Sequence, residues 1–479
     1  MASSISSALV GASSALGAFQ YALNVTQNNI DNATTPDYAS QIVQLQADPF
    51  DPAGGLSGGV ADGTMIDSRD LLAESDVWQQ AGLQGDASAQ SSALTDVQNA
   101  LPVSTGSGIP NALNTFFSDI SAWSADPTSS SAQQQVMVDA NSLAQSFQST
   151  AAAVAGASAS VSQSINSTVS QINGLTSQIA TLNGAVQKGD GRDAGVQAQL
   201  YSSLETLSGL VNINVLQQPD GGVNVTLSSG AALVMGNQSY ALTAGNAPPP
   251  AGSTDPQAPP DIDIQASDGS VVNSQITSGT LAGLLQVRNV TIPGLIGDAS
   301  QPGALNTLAT TVATTVNSIV SQGIVSQGPP VVQAPSGLFT YDAASASSAA
   351  STLAVDPNMT ASQLPAIDQN GVPNGVPLAL GALANSSEEA LGSTSFTTFY
   401  GNTAAAVGSQ LNEAQSNQTL TTQTLAQAQS MRQSVSGVSL DAQATTLLQY
   451  QESYQAVAKM VSTLQTLAQS VIDMIPAAS

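Results

Sequence analysis

Residues 440–475 read LDAQATTLLQYQESYQAVAKMVSTLQTLAQSVIDMI, and this stretch decides the fold. Its apolar and aromatic residues recur at steps of three and four, which is the spacing of one stripe of a coiled-coil helix. The stripe comprises Leu447, Tyr450, Tyr454, Val457, Val461, Leu464, Ala468, Val471 and Ile475. The spacing predicts a long C-terminal helix with a single apolar face.

The first thirty residues carry a matching pattern. It comprises a seven-residue row, Leu9, Leu16, Leu23 and Ile30, and a second row, Ile5, Ala12 and Phe19. Two single stripes at opposite ends of a chain most simply bury each other, so the two ends are predicted to pair. Such a pair leaves Val10, Leu448 and Met460 uncovered, which predicts contacts with further subunits. On this pattern alone, ordinary core helices of one large domain remain the alternative.

Composition limits the classes of function. The 479 residues exceed the roughly 100 to 200 of one domain. The formal charge of −26 repels nucleic acid and anionic lipid alike. Since the 32 carboxylates also repel one another, the stability of the fold is predicted to change little, or to rise, as pH falls from 7 toward about 4. The alternative is that the acidic composition is unrelated to pH.

The absence of cysteine and histidine removes most catalytic and metal-binding chemistry. No disulfide, thiolate or imidazole ligand is possible, nor any Ser-His or Cys-His nucleophile. Asp261 and Asp263 lie at the spacing of a glycosidase pair, but alternating polar residues on an exposed strand explain them better. We therefore predict no enzyme, no catalytic or metal site and no cofactor.

The N-terminus does not read as a signal peptide. Serines interrupt its apolar residues, and the first basic residue is Arg69. No run reaches the roughly 18 apolar residues of a membrane span. Neither signal-peptide cleavage nor membrane insertion is expected.

Residues 28–38, NNIDNATTPDY, resemble the signature of the axial proteins of the bacterial flagellum, which form its rod, hook and hook-associated segments. In that family an Asn-rich helix end runs into a Thr-Pro-Gly-Tyr turn. The matching positions are Asn28, Asn29, Ile30, Pro36 and Tyr38. Asp37 stands in place of the usual Gly, and Ser40 stands near the usual Arg. Asp tolerates a left-handed backbone better than most residues, so the turn is expected to persist.

Two internal phrases narrow the resemblance to the hook-associated proteins of the hook-filament junction. They lie at residues 172–183 and 436–441. Arg69 and Asp70 resemble the residues at which these proteins begin their first long helices. The alternative is an ordinary pair of adjacent, solvated charged residues. Residues 199–202, QLYS, replace a charged run that the family carries, so its ion-pair cluster is expected to be missing there.

Periodicity and resemblance together predict a mainly α fold: a bundle of long helices with paired N- and C-terminal coiled-coil helices and a small inserted β-subdomain. Local patterns predict a strand at 41–46, a loop at 51–63, helical structure at 65–101 and a last long bundle helix at 388–435. The predicted units are a terminal helical domain, 1–40 plus 436–479; a connecting segment, 41–85; a helical bundle, 86–211 plus 301–330 plus 386–435; a β-rich subdomain, 212–300; and a loop with short strands, 331–385, without a separate outer domain.

The resemblance implies a structural subunit at the joint between hook and filament, self-assembled into a ring or short helical tube. Expected partners are the hook protein, a second junction protein and an export chaperone on the C-terminal helix. The family also implies uncleaved export through the flagellar type III channel to an extracellular site. The expected interface comprises Leu9, Leu16, Phe19, Leu23, Ile30, Leu447, Tyr450, Tyr454, Val457, Val461, Leu464, Val471 and Ile475. Another axial protein (second junction, hook or distal rod protein) or a secreted coiled-coil adhesin remain alternatives.

Overall fold

The computed structural model describes residues 2–51, 56–103, 106–188, 193–228, 230–251, 253, 255, 258–328 and 330–473. The predicted mainly α architecture is confirmed. The helices are α1 Ala2–Asp31, α2 Leu71–Asn99, α3 Gly108–Ala125, α4 Ser130–Gln187, α5 Ala194–Leu210, α6 Thr280–Gln286, α7 Ile292–Ile296, α8 Ala304–Val320, α9 Ala349–Thr352, α10 Gly375–Ala382, α11 Phe396–Ser436 and α12 Leu440–Asp473. A π-helical turn, Val287–Thr291, joins α6 to α7.

The strands are short and antiparallel. They are β1 Gln41–Asp51, β2 Leu56–Asp67, β3 Asn214–Gln217, β4 Val223–Thr226, β5 Ala232–Met235, β6 Gln238–Ser239, β7 Thr243–Asn246, β8 Ile262–Gln265, β9 Ile324–Ser326, β10 Val332–Gln333, β11 Phe339–Thr340 and β12 Ala354–Val355. They pair as β1-β2, β3-β4-β5-β6, β7-β8, β9-β10 and β11-β12. No sheet exceeds four strands in the described parts of the chain, so helix packing supplies the main core.

The bundle is built around α4, whose 58 residues extend roughly 87 Å at about 1.5 Å per residue. Ser129 begins this helix by accepting a hydrogen bond from the Ala132 amide on its side-chain oxygen. The largest fully buried side chains around α4 are Trp123 and Phe116 of α3, Phe147 of α4 itself, and Phe396 and Tyr400 of α11. Burial of these rings makes α3, α4 and α11 one continuous core.

Two amides in the phrase at residues 172–183 tie the β-subdomain to α4. Asn183 Nδ2 donates to the carbonyls of Val223 and Gly236, each at 2.7 Å, and its Oδ1 accepts from the Val223 amide at 2.9 Å. Asn173 makes the same two-way pairing with the backbone of Leu242, both bonds at 2.8 Å. The two asparagines take the place of a missing neighbouring strand, which fixes the subdomain on the helix.

The predicted loop at 51–63 is wrong where the structure describes it. β2 occupies most of it and pairs with β1 to form a long hairpin; residues 52–55 lie outside the described part. A bulge beside Gln44 accommodates Gly63, where a Cβ would lie 2.1 Å from the Gln44 carbonyl. Packing against α1 outweighs the poor intrinsic strand preference of this glycine-rich segment.

Two helix starts also differ from the prediction. The helix expected from 65 begins at Leu71, because residues 65–67 complete β2 and the Asp70 carboxylate accepts from the amides of Leu72 and Ala73. The helix expected from 388 begins at Phe396. There Glu388 instead donates its amide to the Thr394 carbonyl, closing a short loop before the Ser395 cap. In both cases a side-chain cap, rather than the apolar period, sets the boundary.

α1 and α12 run antiparallel, and the β1-β2 hairpin packs on α1. We call these four elements the terminal unit and the rest of the helices the bundle. Among the described residues, no bundle helix packs extensively along α1 or α12. Within the described residues, the terminal unit therefore meets the bundle mainly near the two points where the chain crosses between them.

Among the described residues, none of the helices has both the length and the apolarity of a membrane span.

Candidate assembly interface

The predicted stripe of α12 is the face turned toward α1. Leu447, Tyr450, Tyr454, Val457, Val461, Leu464, Ala468 and Val471 are all half-buried. Phe19 of α1 packs against Tyr450 with ring centroids 6.3 Å apart and ring planes at 42°. No residue of α12 whose side chain is described is fully buried, because only one face has a neighbour. Ile475, also predicted, lies outside the described residues.

α1 buries two adjacent stripes rather than the single one predicted. Leu9, Leu16, Phe19, Leu23 and Ile30 are half-buried on the predicted stripe. The fully buried residues form a second, narrower row: Ala12, Ala15, Ala18, Ala22, Thr26 and Asn29. Small side chains let the hairpin approach closely, and a Cβ on Gly59 of β2 would lie 3.4 Å from the Gly11 carbonyl. The alanine row was the sequence signal for this third partner.

Large apolar residues remain uncovered around the terminal unit. Val10 is 70% exposed on α1, and Leu448, Met460 and Leu467 are 60%, 57% and 50% exposed on α12. Phe50 of the hairpin is 74% exposed. Exposed apolar groups of this size on a thin helical unit are typical of a surface that contacts other proteins.

Asn29 of α1 links three elements of the terminal unit, α1, β1 and α12. Its Nδ2 donates to the Gln41 carbonyl at 2.8 Å and to Gln443 Oε1 of α12 at 3.1 Å, while its Oδ1 accepts from the Gln41 amide at 2.9 Å. The Tyr38 hydroxyl donates to Asn28 and Asn29 at 2.9 and 3.0 Å, and burial raises the pKa of Tyr38 to about 12. Pro36 lies exposed in the intervening turn.

Ser436, the last residue of α11, lies where the chain crosses from the bundle to α12, and it hydrogen-bonds both the start of the hairpin and the other crossing segment, at residues 68–70. Its carbonyl accepts from the Ser40 amide at 2.9 Å and from the Ser68 hydroxyl at 2.8 Å. Its own hydroxyl accepts from the Asp70 amide at 3.0 Å. The phrase at residues 436–441 is therefore a structural joint between the two parts of the molecule.

A buried charge cluster lies beside Ser436. Arg432 Nη2 contacts Asp37 Oδ1 at 2.7 Å, and its Nη1 contacts Glu205 at 2.6 Å and Glu74 at 3.2 Å. Arg69 also pairs with Glu74. Burial alone would lower the pKa of Arg432, but the carboxylates of Glu205, Asp37 and Glu74 together raise it. The cluster thus keeps this guanidinium charged although it is largely out of water.

The aromatic side of this cluster explains residues 199–202. The Arg69 guanidinium lies 3.8 Å above the Tyr201 ring centroid, and Trp78 stacks with the same ring at 6.1 Å. Residues 199–202 contribute no charge to the cluster; on α5 the charge comes from Glu205, one turn further on. The solvated alternative for Arg69 is wrong, since its side chain is 4% exposed.

Comparison with known proteins decides the family. A family profile described as the flagellar hook-associated protein FlgK helical domain matches residues 94–333, half of the chain. The chain belongs to the FlgK family of flagellar hook-associated proteins. The flagellar basal body rod FlgEFG protein C-terminal profile matches residues 428–474, which contain Ser436 and the α12 stripe from Leu447 to Val471.

Individual relatives agree with the FlgK assignment. Flagellar hook-associated protein 1 of Bacillus subtilis is 24% identical over 505 residues, covering 96% of each chain. The proteins of the same name from Salmonella typhimurium and Escherichia coli are 28% and 27% identical, covering 60% of this chain and 52% and 53% of theirs. The flagellar hook junction protein FlgK from Burkholderia pseudomallei shares the fold, with a TM-score of 0.63, 16% identity, and coverage of 75% of this chain and all of that one.

As a FlgK-family protein, the chain is a structural component of the flagellum, associated with the hook. The resemblance read from residues 28–38, 172–183 and 436–441 is thereby confirmed. Sequence reasoning named Asn28, Asn29 and Tyr38 as signature residues without finding their hydrogen bonds. It missed Arg432, Glu74 and Glu205, which carry no periodic signal and stand hundreds of residues apart.

Proposed function

We propose that this chain polymerises through its terminal unit into a ring or short helical tube that joins the flagellar hook to the filament. The observation that carries the proposal is the one-sided burial of α12: its stripe from Leu447 to Val471 is half-buried against α1, and among the described residues no other element packs extensively along this helix. A helix 34 residues long with one covered face gains the rest of its burial from other subunits.

The division of the molecule suits a mechanical role. α1, α12 and the hairpin form the inner wall of the tube, and the bundle around α4 forms the outer wall. With only 8% charged residues, the contacts between subunits rest on apolar and neutral polar groups, which are less sensitive to salt than ion pairs. A ring of this kind adapts a bending hook to a stiff filament.

The same surfaces indicate the binding partners and the export route of the chain. The terminal unit contacts the hook protein on one side and a second junction protein on the other, because such a tube exposes one rim to each. Before assembly, the apolar outer face of α12 at Leu448, Met460 and Leu467 is the binding surface for an export chaperone. The chain travels uncleaved through the flagellar type III channel and acts outside the cell.

Leu467→Asp tests the proposal. Leu467 is half-exposed on α12 and outside its stripe, so the substitution leaves the pairing with α1 intact and places a charge in the proposed contact between subunits. In the bacterium that carries it as the sole copy, we expect hooks without filaments and filament subunits shed into the medium. Val138→Asp is the matched control, because Val138 is an exposed apolar residue on the bundle helix α4.

Normal filaments with Leu467→Asp, or equal loss with Val138→Asp, would contradict assembly through the terminal unit. Antibody labelling of native flagella separates the remaining candidates. Label at the filament base supports the junction; label along the hook or rod identifies another axial protein, and label on the cell surface identifies an adhesin. The profile match at residues 428–474 makes another axial protein the stronger alternative.

A further inference from the structure

The ion pairs found between described residues all lie at one place, the joint between terminal unit and bundle. They link Arg69 to Glu74, and Arg432 to Asp37, Glu74 and Glu205. The whole sequence contains only six basic residues, and two of them, Arg69 and Arg432, lie at this joint. Among the described residues, the ion pairs are therefore concentrated where the two parts of the molecule meet.

Of these five side chains, Asp37 alone comes from the terminal unit. Glu74 belongs to α2, Glu205 to α5 and Arg432 to α11, and Arg69 immediately precedes α2. Residue 37 is held twice, by Arg432 through its carboxylate at 2.7 Å and by Arg69 Nη2 through its backbone carbonyl at 2.8 Å. Its side chain is 7% exposed. Arg69 and Arg432 therefore both bind the same turn of the terminal unit.

The backbone of Asp37 points to the same role. Its φ is +60°, a left-handed conformation that glycine adopts without strain and that side chains rarely do. Because the carboxylate does not relieve this backbone strain, its role at this position depends on the groups that it contacts. Here it reaches a buried guanidinium, which offsets the strain with a charge-assisted bond.

The joint needs such a contact, because its other bonds lie close together. Ser436 hydrogen-bonds Ser40, Ser68 and Asp70, and hydrogen bonds clustered at one point resist separation better than tilting. Beside it, a cleft of about 470 Å³ separates α1 from the start of α5, lined by residues that include Tyr21, Met65 and Asp193. Helix packing does not close this side of the joint.

We propose that Asp37 is a positioning residue which, with Arg432, latches the terminal unit in one orientation on the bundle. When the latch is closed, Asp37, Glu74 and Glu205 all contact Arg432, and Arg69 pairs with Glu74, largely out of water. Opening it leaves Asp37 without its cation while Arg432 keeps Glu74 and Glu205, so the bundle stays folded and only the orientation of the terminal unit is released.

Spin labels on the two parts test the latch in the purified monomer, independently of assembly. The chain has no cysteine, so Leu420→Cys on α11 and Met460→Cys on α12 give two unique sites, both exposed. Each lies about 24 to 30 Å along its helix from the joint. We expect one narrow distance distribution for the labelled wild type, and a broad one without a single maximum for Asp37→Asn and for Asp37→Gly.

Asp441→Asn is the control, because Asp441 lies exposed in the first turn of α12. It should keep the narrow distribution. Thermal unfolding of the bundle should stay unchanged in all three variants. A narrow distribution in both Asp37 variants overturns the latch. A lowered unfolding temperature of the bundle in both also overturns it, since Asp37 would then be a folding contact and not a positioning residue.

Discussion

The side-chain amide of Asn29 pairs with the backbone of Gln41 as a neighbouring β-strand would. It donates to the Gln41 carbonyl and accepts from the Gln41 amide at 2.8 and 2.9 Å. Asn29 is 1% exposed, so these groups have no access to water as an alternative partner. The start of the hairpin is therefore determined by one residue of α1, which explains why an Asn-rich helix end precedes the turn.

Asn29→Ala should destabilise the terminal unit by about 2 to 4 kcal/mol, because it removes hydrogen bonds to Tyr38, Gln41 and Gln443 and leaves buried groups unpaired. Amide exchange in α1, β1 and α12 measures the effect. Asn24→Ala, on an exposed position of the same helix, is the control and should change little. Equal exchange in both variants would show that the Asn29 network is not a stabilising contact.

The two ends of the chain should be the least protected regions of the isolated monomer. α12 has no fully buried residue among those described, whereas α3 and α4 bury Trp123, Phe116 and Phe147 completely. We expect fast amide exchange in residues 1–38 and 436–479 and slow exchange in 110–210. Leu464→Asp, within the stripe, should accelerate exchange at both ends together. Uniform protection along the chain would mean that the terminal unit opens no more often than the bundle.

Gly85→Ala should destabilise the bundle by about 1 to 3 kcal/mol through overpacking. An added Cβ at Gly85 would lie 2.0 Å from the Gly209 carbonyl, so α2 and α5 would have to separate. Gly156→Ala is the matched control: Gly156 lies in α4 with nothing within 4 Å of the added Cβ. It should stabilise by up to about 1 kcal/mol, since alanine favours helix. Urea unfolding of both variants decides the matter, and an unaffected Gly85→Ala would refute the close packing.

Asp139 should make the bundle more stable in acid. Burial, and then a hydrogen bond with Asp119, raise the pKa of Asp139 to about 6. A carboxyl whose pKa is raised in the folded state contributes stability that is fully present below its unfolded value, 3.8, and is lost as pH rises through 6. We expect the unfolding temperature to fall between pH 4 and 7, and Asp139→Asn to flatten that slope.

Asp96→Asn, at an exposed position on α2, should leave the same slope unchanged. Burial also raises the pKa of Asp86 and Asp261, which acts in the same direction. Hydrogen bonds at turns lower the pKa of Asp268 and Asp356, which acts against it. A wild-type unfolding temperature that drops steeply from pH 6 to 4 would show that these turn contacts outweigh the relief of repulsion.

How far sequence reasoning reached depended on the range of the interaction. The stripe from Leu447 to Val471 was predicted residue by residue, because a helix repeats its face every three or four positions whatever surrounds it. The hairpin was not, because Gly58, Gly59 and Gly63 favour a loop locally and form a strand only against α1. The start of α11 was misplaced for a similar reason, since Ser395 as a cap is visible only in its hydrogen bond to Thr398.

By itself, the sequence determined the mainly α class, the pairing of the chain ends and the exclusion of cysteine and histidine chemistry, since these depend on local period and composition. Only the tertiary structure decided that Asp37, Glu74, Glu205 and Arg432 meet in one buried cluster. Those four residues come from a turn and three helices separated by long stretches of chain. No periodicity connects them, because their proximity results from how the bundle packs and from where the two crossing segments meet at Ser436.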